Sequence, residues 1–253
     1  MISPGLLALL AIVAVAAYIQ TVTGFALGLV LMGGIGLTGI LPLQDAAVLS
    51  SLLVLVQGLQ VLRTGWRHVA WRPFALIFVA CAPGILAGYG LLLVLVGSSM
   101  HWLQLILGLI ILVSSIQLVF KPQPLPAMSS PMTFSLFGGI AGIMSGLFAT
   151  SGPPLVYLLY RQPIPHRVLR DTLVFIFFIN AIVRLATVVA AGDLPPQSSW
   201  WALAAIPMVI VFTFVARRWP PPLSDTTLRR IAFGLLLLSG LALAVPAVAA
   251  LVA

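Results

Sequence analysis

The chain contains no glutamate, one cysteine and one lysine, and charged residues fill only 6% of its 253 positions. Soluble domains carry about a quarter charged residues, so a water-facing surface is excluded over most of this molecule. One cysteine excludes an internal disulfide framework and a cysteine metal cluster. Cys81 lies inside an apolar run and reads as a packed, inert thiol. No carboxylate falls deep in an apolar run, which removes the usual buried proton relay. Metal-ligand spacing, a phosphate-binding glycine loop and a nucleophile with a nearby base are all missing. Catalysis, a metal centre, a cofactor and ATP-driven pumping are therefore not expected. The three histidines, His68, His101 and His166, fall in loops and read as solvated.

What the chain has is apolar sequence. Hydrophobic residues make up 62% of it, in runs at about 5–24, 25–41, 46–62, 73–96, 102–120, 132–149, 152–161, 168–191, 199–216 and 228–250. Most reach the roughly 18 to 24 residues that cross a hydrocarbon core about 30 Å thick. The expected fold is all-α, a polytopic membrane protein in a lipid bilayer. The first run resembles a signal peptide, with AVA near Val15, but it lacks a basic n-region and is expected to remain as the first helix. A net charge of +8 would suggest nucleic acid in a soluble protein, but here it sits in short loops between spans, and no nucleic-acid partner is expected.

Those loops set an orientation. Arg63, Arg67, Arg72, Lys121, Arg161, Arg167, Arg170, Arg217, Arg218, Arg229 and Arg230 fall on one face, and only Arg184 of the twelve basic residues does not. The positive-inside rule makes that face cytoplasmic and puts Asp45, Asp193 and both termini outside. All six tryptophans lie near span ends, as an aromatic belt would have them.

The proline-rich tract 121–131 reads as a cytoplasmic linker between residues 1–120 and 132–253, each with about five helical segments. Sliding 15–120 onto 138–243 aligns Phe25-Ala26 with Phe148-Ala149, Pro42 with Pro165, and Gln57 with Asn180. An odd number of crossings per half makes the repeats inverted, an architecture of secondary transporters whose site lies at the repeat interface.

Each half also contains a stretch that breaks its helix. The first is Thr23-Gly24-Phe25-Ala26-Leu27-Gly28, and the second is Ser145-Gly146-Leu147-Phe148-Ala149-Thr150-Ser151-Gly152 followed by Pro153 and Pro154. Irregular backbone survives in hydrocarbon only where protein or a watery cavity covers it. The segment 152–161 is too short to cross, so broken or re-entrant hairpins are expected, although 25–41 is long enough to be read either way. A helix starting at such a tip directs free N–H groups and a positive dipole end at the cavity, which suits an anion. Candidate anion ligands are Thr23, Gly24, Phe25, Ala26, Gly28, Ser145, Gly146, Thr150, Ser151 and Gly152. Gln57 and Gln60 on the third span, and Asn180 and Arg184 on the eighth, would add donors. Arg184 has a second reading, in which it snorkels to the outer interface. Gly33, Gly34 and Gly36 read as helix packing, and Asp45 and Asp171 as helix caps that complement the helix dipole, Asp171 with Arg167 or Arg170 in reach.

These stretches carry a resemblance. TGFALG at the end of the first helix, GLFATSGPPLVYLL in mid-chain and RDTLVFIFFINAIVR in the next span resemble the TauE/SafE family of sulfite exporters, and the resemblance covers nearly the whole chain. It implies a bacterial inner-membrane permease with two repeats. Such a permease moves sulfite, sulfonates such as sulfoacetate or toluenesulfonate, or related small organic anions, carboxylates included. Where the family commonly has GFG this chain has Gly24-Phe25-Ala26, and glycine is common where Thr150 and Ser151 stand. The expectation is secondary transport by alternating access. An anion channel with the same site, or a structural subunit whose polar hairpins only pack, are the alternatives. Direction, coupling ion and assembly into a homo-oligomer are left open.

Overall fold

A computed structural model describes residues 4–98, 100–119, 124–194, 196–219 and 225–252. Residues 121–123 of the expected linker, with Lys121, lie outside these, as do residues 220–224. The described residues form ten α-helices: α1 (Pro4–Thr23), α2 (Leu27–Thr38), α3 (Leu43–Gly65), α4 (Trp71–Ser98), α5 (Met100–Val119), α6 (Pro131–Phe148), α7 (Gly152–Tyr160), α8 (His166–Ala191), α9 (Pro196–Arg218) and α10 (Asp225–Val252). Helices α1, α3, α4, α6, α8 and α9 are each long and apolar enough to cross a membrane. The chain is an all-helical, polytopic membrane protein. Val79, Met132, Trp200 and Leu238 are among many large apolar side chains left on the outside, where lipid rather than water is the fitting solvent.

Helix boundaries have local causes. Helices α3 and α8 begin behind Pro42 and Pro165, both extended, with φ −57 and −59 and ψ 145 and 142. Ser130 caps α6, accepting the Thr133 N–H at 3.3 Å, with Pro131 in the first turn. Helix α1 stops at Gly24, whose φ of +85 is accessible to glycine at little cost. Among the described residues only two non-glycines have positive φ, Ala26 before α2 and Ala149 after α6. They are the same two residues that the internal alignment pairs.

The helices run between two ends. At one end Gly5 lies against Trp201 and Ile40, and the Tyr89 hydroxyl donates to Asp193. At the other, the Ala70 N–H donates to Thr172 at 2.9 Å, the Leu125 N–H to the Arg161 carbonyl at 2.7 Å, and Arg217 to the Gln60 carbonyl at 3.1 Å. Helix α2 has 12 residues, about 18 Å of rise, and doubles back on α1 toward the Asp193 end. Helix α7 has 9 residues, about 14 Å, and doubles back on α6 toward the arginine-rich end. Both pairs are helical hairpins, and they open toward opposite ends. Packing partners exchange between the halves. Helix α1 packs on α9 as α6 does on α4, α3 on α9 as α8 on α4, and α2 on α10 as α7 on α5.

The α4–α6 seam is backbone against backbone. Gly84 and Gly88 on α4 meet Gly138, Gly142 and Gly146 on α6, spaced by four so that each helix presents one smooth stripe. The carbonyls of Ile77, Cys81 and Ile85 occupy the space that a Cβ on the α6 glycines would need. Gly34 and Gly36 serve packing as expected, against Ile12 and Leu243. Gly142→Leu is expected to lower stability by about 3 kcal/mol, read as a lower unfolding midpoint in detergent. Gly139→Ala is expected to be neutral, because its Cβ would stand 4.0 Å from Ala80.

Candidate anion site between the hairpin tips

The first tip is built by α1 and its own side chains. The Thr23 hydroxyl stands 2.8 Å from the Ile19 carbonyl and 2.7 Å from that of Phe25, and accepts the Phe25 N–H at 3.4 Å. Gln20, buried one turn earlier, accepts the Leu27 N–H through Oε1 at 2.6 Å. It thereby supplies the acceptor that the broken helix has lost. The Val30 N–H is the first in α2 to find a helical partner, the Ala26 carbonyl at 2.9 Å. Gly28 and Leu29 contribute N–H groups at the positive end of the helix dipole.

At the second tip the Ala149 N–H bonds back to the Ser145 carbonyl at 2.9 Å. Ser151 precedes α7 and makes no side-chain cap. Pro153 and Pro154 have no N–H, so the start of α7 offers fewer donors than the start of α2. Asn180 of α8, buried, donates through Nδ2 to the Ser151 hydroxyl at 3.2 Å. Its Oδ1 accepts the Cys81 thiol at 3.3 Å, so Cys81 orients this amide besides filling space.

The two tips meet. A Cβ placed on Gly28 would stand 3.1 Å from the Ala149 carbonyl oxygen and 3.2 Å from Thr150 Cβ. Between them lies a cavity of about 30 Å³, room for about two waters. Seven of the residues singled out in the sequence border it: Ala26, Gly28, Ser145, Thr150, Ser151, Gly152 and Asn180. Gln20 and Ser51 border it as well. Both escaped the sequence reading, because a glutamine four residues before Gly24 and a serine mid-span carry no signature. Val54, Phe177 and Ala181 form the apolar wall. The lining carries hydroxyls, amides and helix N-termini but no ionisable side chain. Such a site can hold the oxygens of a small anion by neutral hydrogen bonds and dipoles.

The remaining candidates lie elsewhere. Thr23 and Gly24 shape the turn, with Gly24 pressed on the Arg170 side chain, and Phe25 is buried beside it. Gly146 belongs to the α4–α6 seam. Gln57 borders a second cavity of about 20 Å³, with Arg170 and Arg217, and Gln20 borders both cavities. Gln57 Nε2 lies 2.9 to 3.2 Å from Thr21, the Ala17 carbonyl and Thr213, and Gln60 donates to the Ile210 carbonyl at 3.3 Å. Arg184 does not snorkel. It is 1% exposed, and it donates through Nε to the Gly146 carbonyl at 3.3 Å and through a terminal nitrogen to Ser51 at 3.4 Å. It faces a third cavity, of about 280 Å³, at the Asp193 end.

Three smaller expectations are corrected. Neither Asp45 nor Asp171 is a side-chain cap, since both lie inside their helices, although Asp45 keeps the expected place beside the positive end of the α3 dipole. Asp45 sits in the first turn of α3, whereas Asp171 lies six residues past the Pro165 cap, buried 3.4 Å from Arg170 and 3.5 Å from His68. His68 is thus a partner of Asp171 rather than a solvated side chain, and its place is a 3-10 turn, Trp66–His68. His101 and His166 lie in the first turns of α5 and α8, and His166 packs edge-on to Tyr160.

Residues 9–243 match the family described as Sulfite exporter TauE/SafE. The chain is 36% identical, over 97% of its length and 96% of the relative's, to a probable sulfite/organosulfonate exporter TauE of Cupriavidus necator. It is 28% identical, over 70% of its length and 74% of the relative's, to a probable inner membrane transporter protein TsaS of Comamonas testosteroni. No solved structure matches it. Gln20→Leu should leave the Leu27 N–H without an acceptor and lower stability by about 1 to 3 kcal/mol. Its unfolding midpoint in detergent is expected to fall, and that of Gln20→Glu, which keeps an acceptor oxygen, to fall less.

Proposed function

The chain belongs to the TauE/SafE sulfite exporter family, and from that premise we propose that it carries sulfite or a small sulfonate across the bacterial inner membrane by alternating access. The observation that carries this reading is the meeting of the two hairpin tips around one cavity. Two helix N-termini entering from opposite ends converge there, and Asn180 and Ser151 supply polar hydrogens beside them. Backbone and hydroxyl donors suit the oxygens of an –SO₃ group, and their neutrality lets the anion leave again.

The halves are read as inverted repeats. Coincident left-handed residues, Ala26 and Ala149, coincident proline caps, Pro42 and Pro165, and the exchanged packing partners support this. Rocking one repeat against the other would open the cavity to each side in turn. At about 30 Å³ it must widen to admit a four-atom anion. That requirement favours a transporter over a channel with an open pore. The arginine-rich end is read as cytoplasmic, with both termini at the opposite face. The membrane potential then assists export, by about 2.3 kcal/mol per charge per 100 mV.

The reading is tested in proteoliposomes loaded with sulfite or methanesulfonate. Saturable, counterflow-competent flux is expected, and current without saturation would replace the transporter by a channel. Ser151→Ala and Asn180→Ala are expected to weaken apparent affinity about 10-fold or more, the loss of one hydrogen bond to a charged group. Wild-type affinity in both variants would remove the tips from the site. For orientation, cysteine at Arg67 should react with impermeant thiol reagents only in inside-out vesicles, and cysteine at Leu194 only in intact cells.

A further inference from the structure

Among the described residues Arg184 has few partners. A guanidinium carries five N–H donors, and here it meets two neutral acceptors, at 3.3 and 3.4 Å, both long for a charged donor. Among the described residues the contacts of a carboxylate with a basic side chain within 4.0 Å are His68–Asp171 and Arg170–Asp171, so no carboxylate closes on Arg184. A buried guanidinium with donors still open toward a cavity can close them on the oxygens of an anion.

The cavity it faces is the roomy one. About 280 Å³ exceeds several times the ~30 Å³ that a water takes in liquid, so a sulfite or sulfonate head fits there with part of its hydration shell. Gln44, Asp45, Tyr89 and Asp193 share the walls, and Tyr89 donates its hydroxyl to Asp193. The two carboxylates balance Arg184 across the cavity without pairing with it. They also repel an arriving anion, so binding against Arg184 is weak and release from it is fast. Ser51 accepts from Arg184 and borders the hairpin-tip cavity, so one hydroxyl forms part of the wall between the two spaces.

We infer that Arg184 and the cavity of about 280 Å³ form a second anion subsite, separate from the hairpin tips. A sulfonate or sulfite head rests there between the tips and the Asp193 end. This rests on the transport reading above. An anion stepping from the tips exchanges Ser51 for its own oxygens as the acceptor on Arg184.

The test is equilibrium binding of radiolabelled methanesulfonate to the full chain in detergent. Wild type is expected to bind two anions per chain, one more weakly. Asn180→Ala weakens one component about 10-fold or more and keeps the other, whereas Arg184→Gln does the reverse, weakening the second at least 10-fold, with Arg184→Lys between. A readout that keeps Arg184 covers failure of Arg184→Gln to fold. In a Cys81→Ser background, Leu93→Cys on the cavity wall is modified by an anionic thiol reagent, and methanesulfonate slows that reaction even with Asn180→Ala. One anion per chain, weakened in Asn180→Ala, kept in Arg184→Gln, and no protection at Leu93→Cys would overturn the second subsite and leave the transport reading intact. Absence of any methanesulfonate or sulfite binding to wild type would overturn both.

Discussion

A backbone N–H or C=O left open in hydrocarbon costs several kcal/mol, and this fold is arranged around two places where the chain leaves them open. The breaks at Gly24–Ala26 and Ala149–Ser151 are tolerated because they cover each other. Gln20 takes the Leu27 N–H, Ser145 takes that of Ala149, and Asn180 reaches Ser151 from α8. The groups still open border a shared cavity. The α4–α6 glycine seam holds the second hairpin tightly against α4 and so sets how deep its tip reaches.

The three cavities follow one another along α3 and α8 with different electrostatics. Toward the arginine-rich end are Arg170 and Arg217, at the tips neutral donors, and toward the Asp193 end Arg184 with Asp45 and Asp193. Gln20 borders the first partition and Ser51, with Arg184 behind it, the second. One central site between two partitions is the arrangement that the proposed alternating access requires, with one partition open at a time.

The helices were legible because apolar length and breakers decide them in a membrane: all ten expected segments have a counterpart helix, displaced by a few residues. The alignment of Phe25-Ala26 with Phe148-Ala149 also marked the two tips. What stayed hidden depends on which side chains face each other. Arg184 shares a helix face with Asn180, yet the intervening Ser51 of α3 puts it in a different cavity. Gln57 aligns with Asn180, but its amide nitrogen is spent on Ala17, Thr21 and Thr213. Gln20 and Ser51 lie in unbroken apolar helix, where sequence gives a polar residue no partner. Asp171 stands near a helix start but six residues past Pro165, too far into α8 to cap it, and its carboxylate instead meets His68 and Arg170.

The central claim is that the tips must part for an anion to pass. Cysteines replacing Gly28 and Thr150 in a Cys81→Ser chain test it directly, because their Cβ atoms would start 3.2 Å apart, close to the ~3.8 Å of a disulfide. With the pair oxidised, flux of a sulfonate carried by the reduced protein should fall to background and return on adding a thiol reductant. Flux that continues undiminished through cross-linked tips would contradict the account.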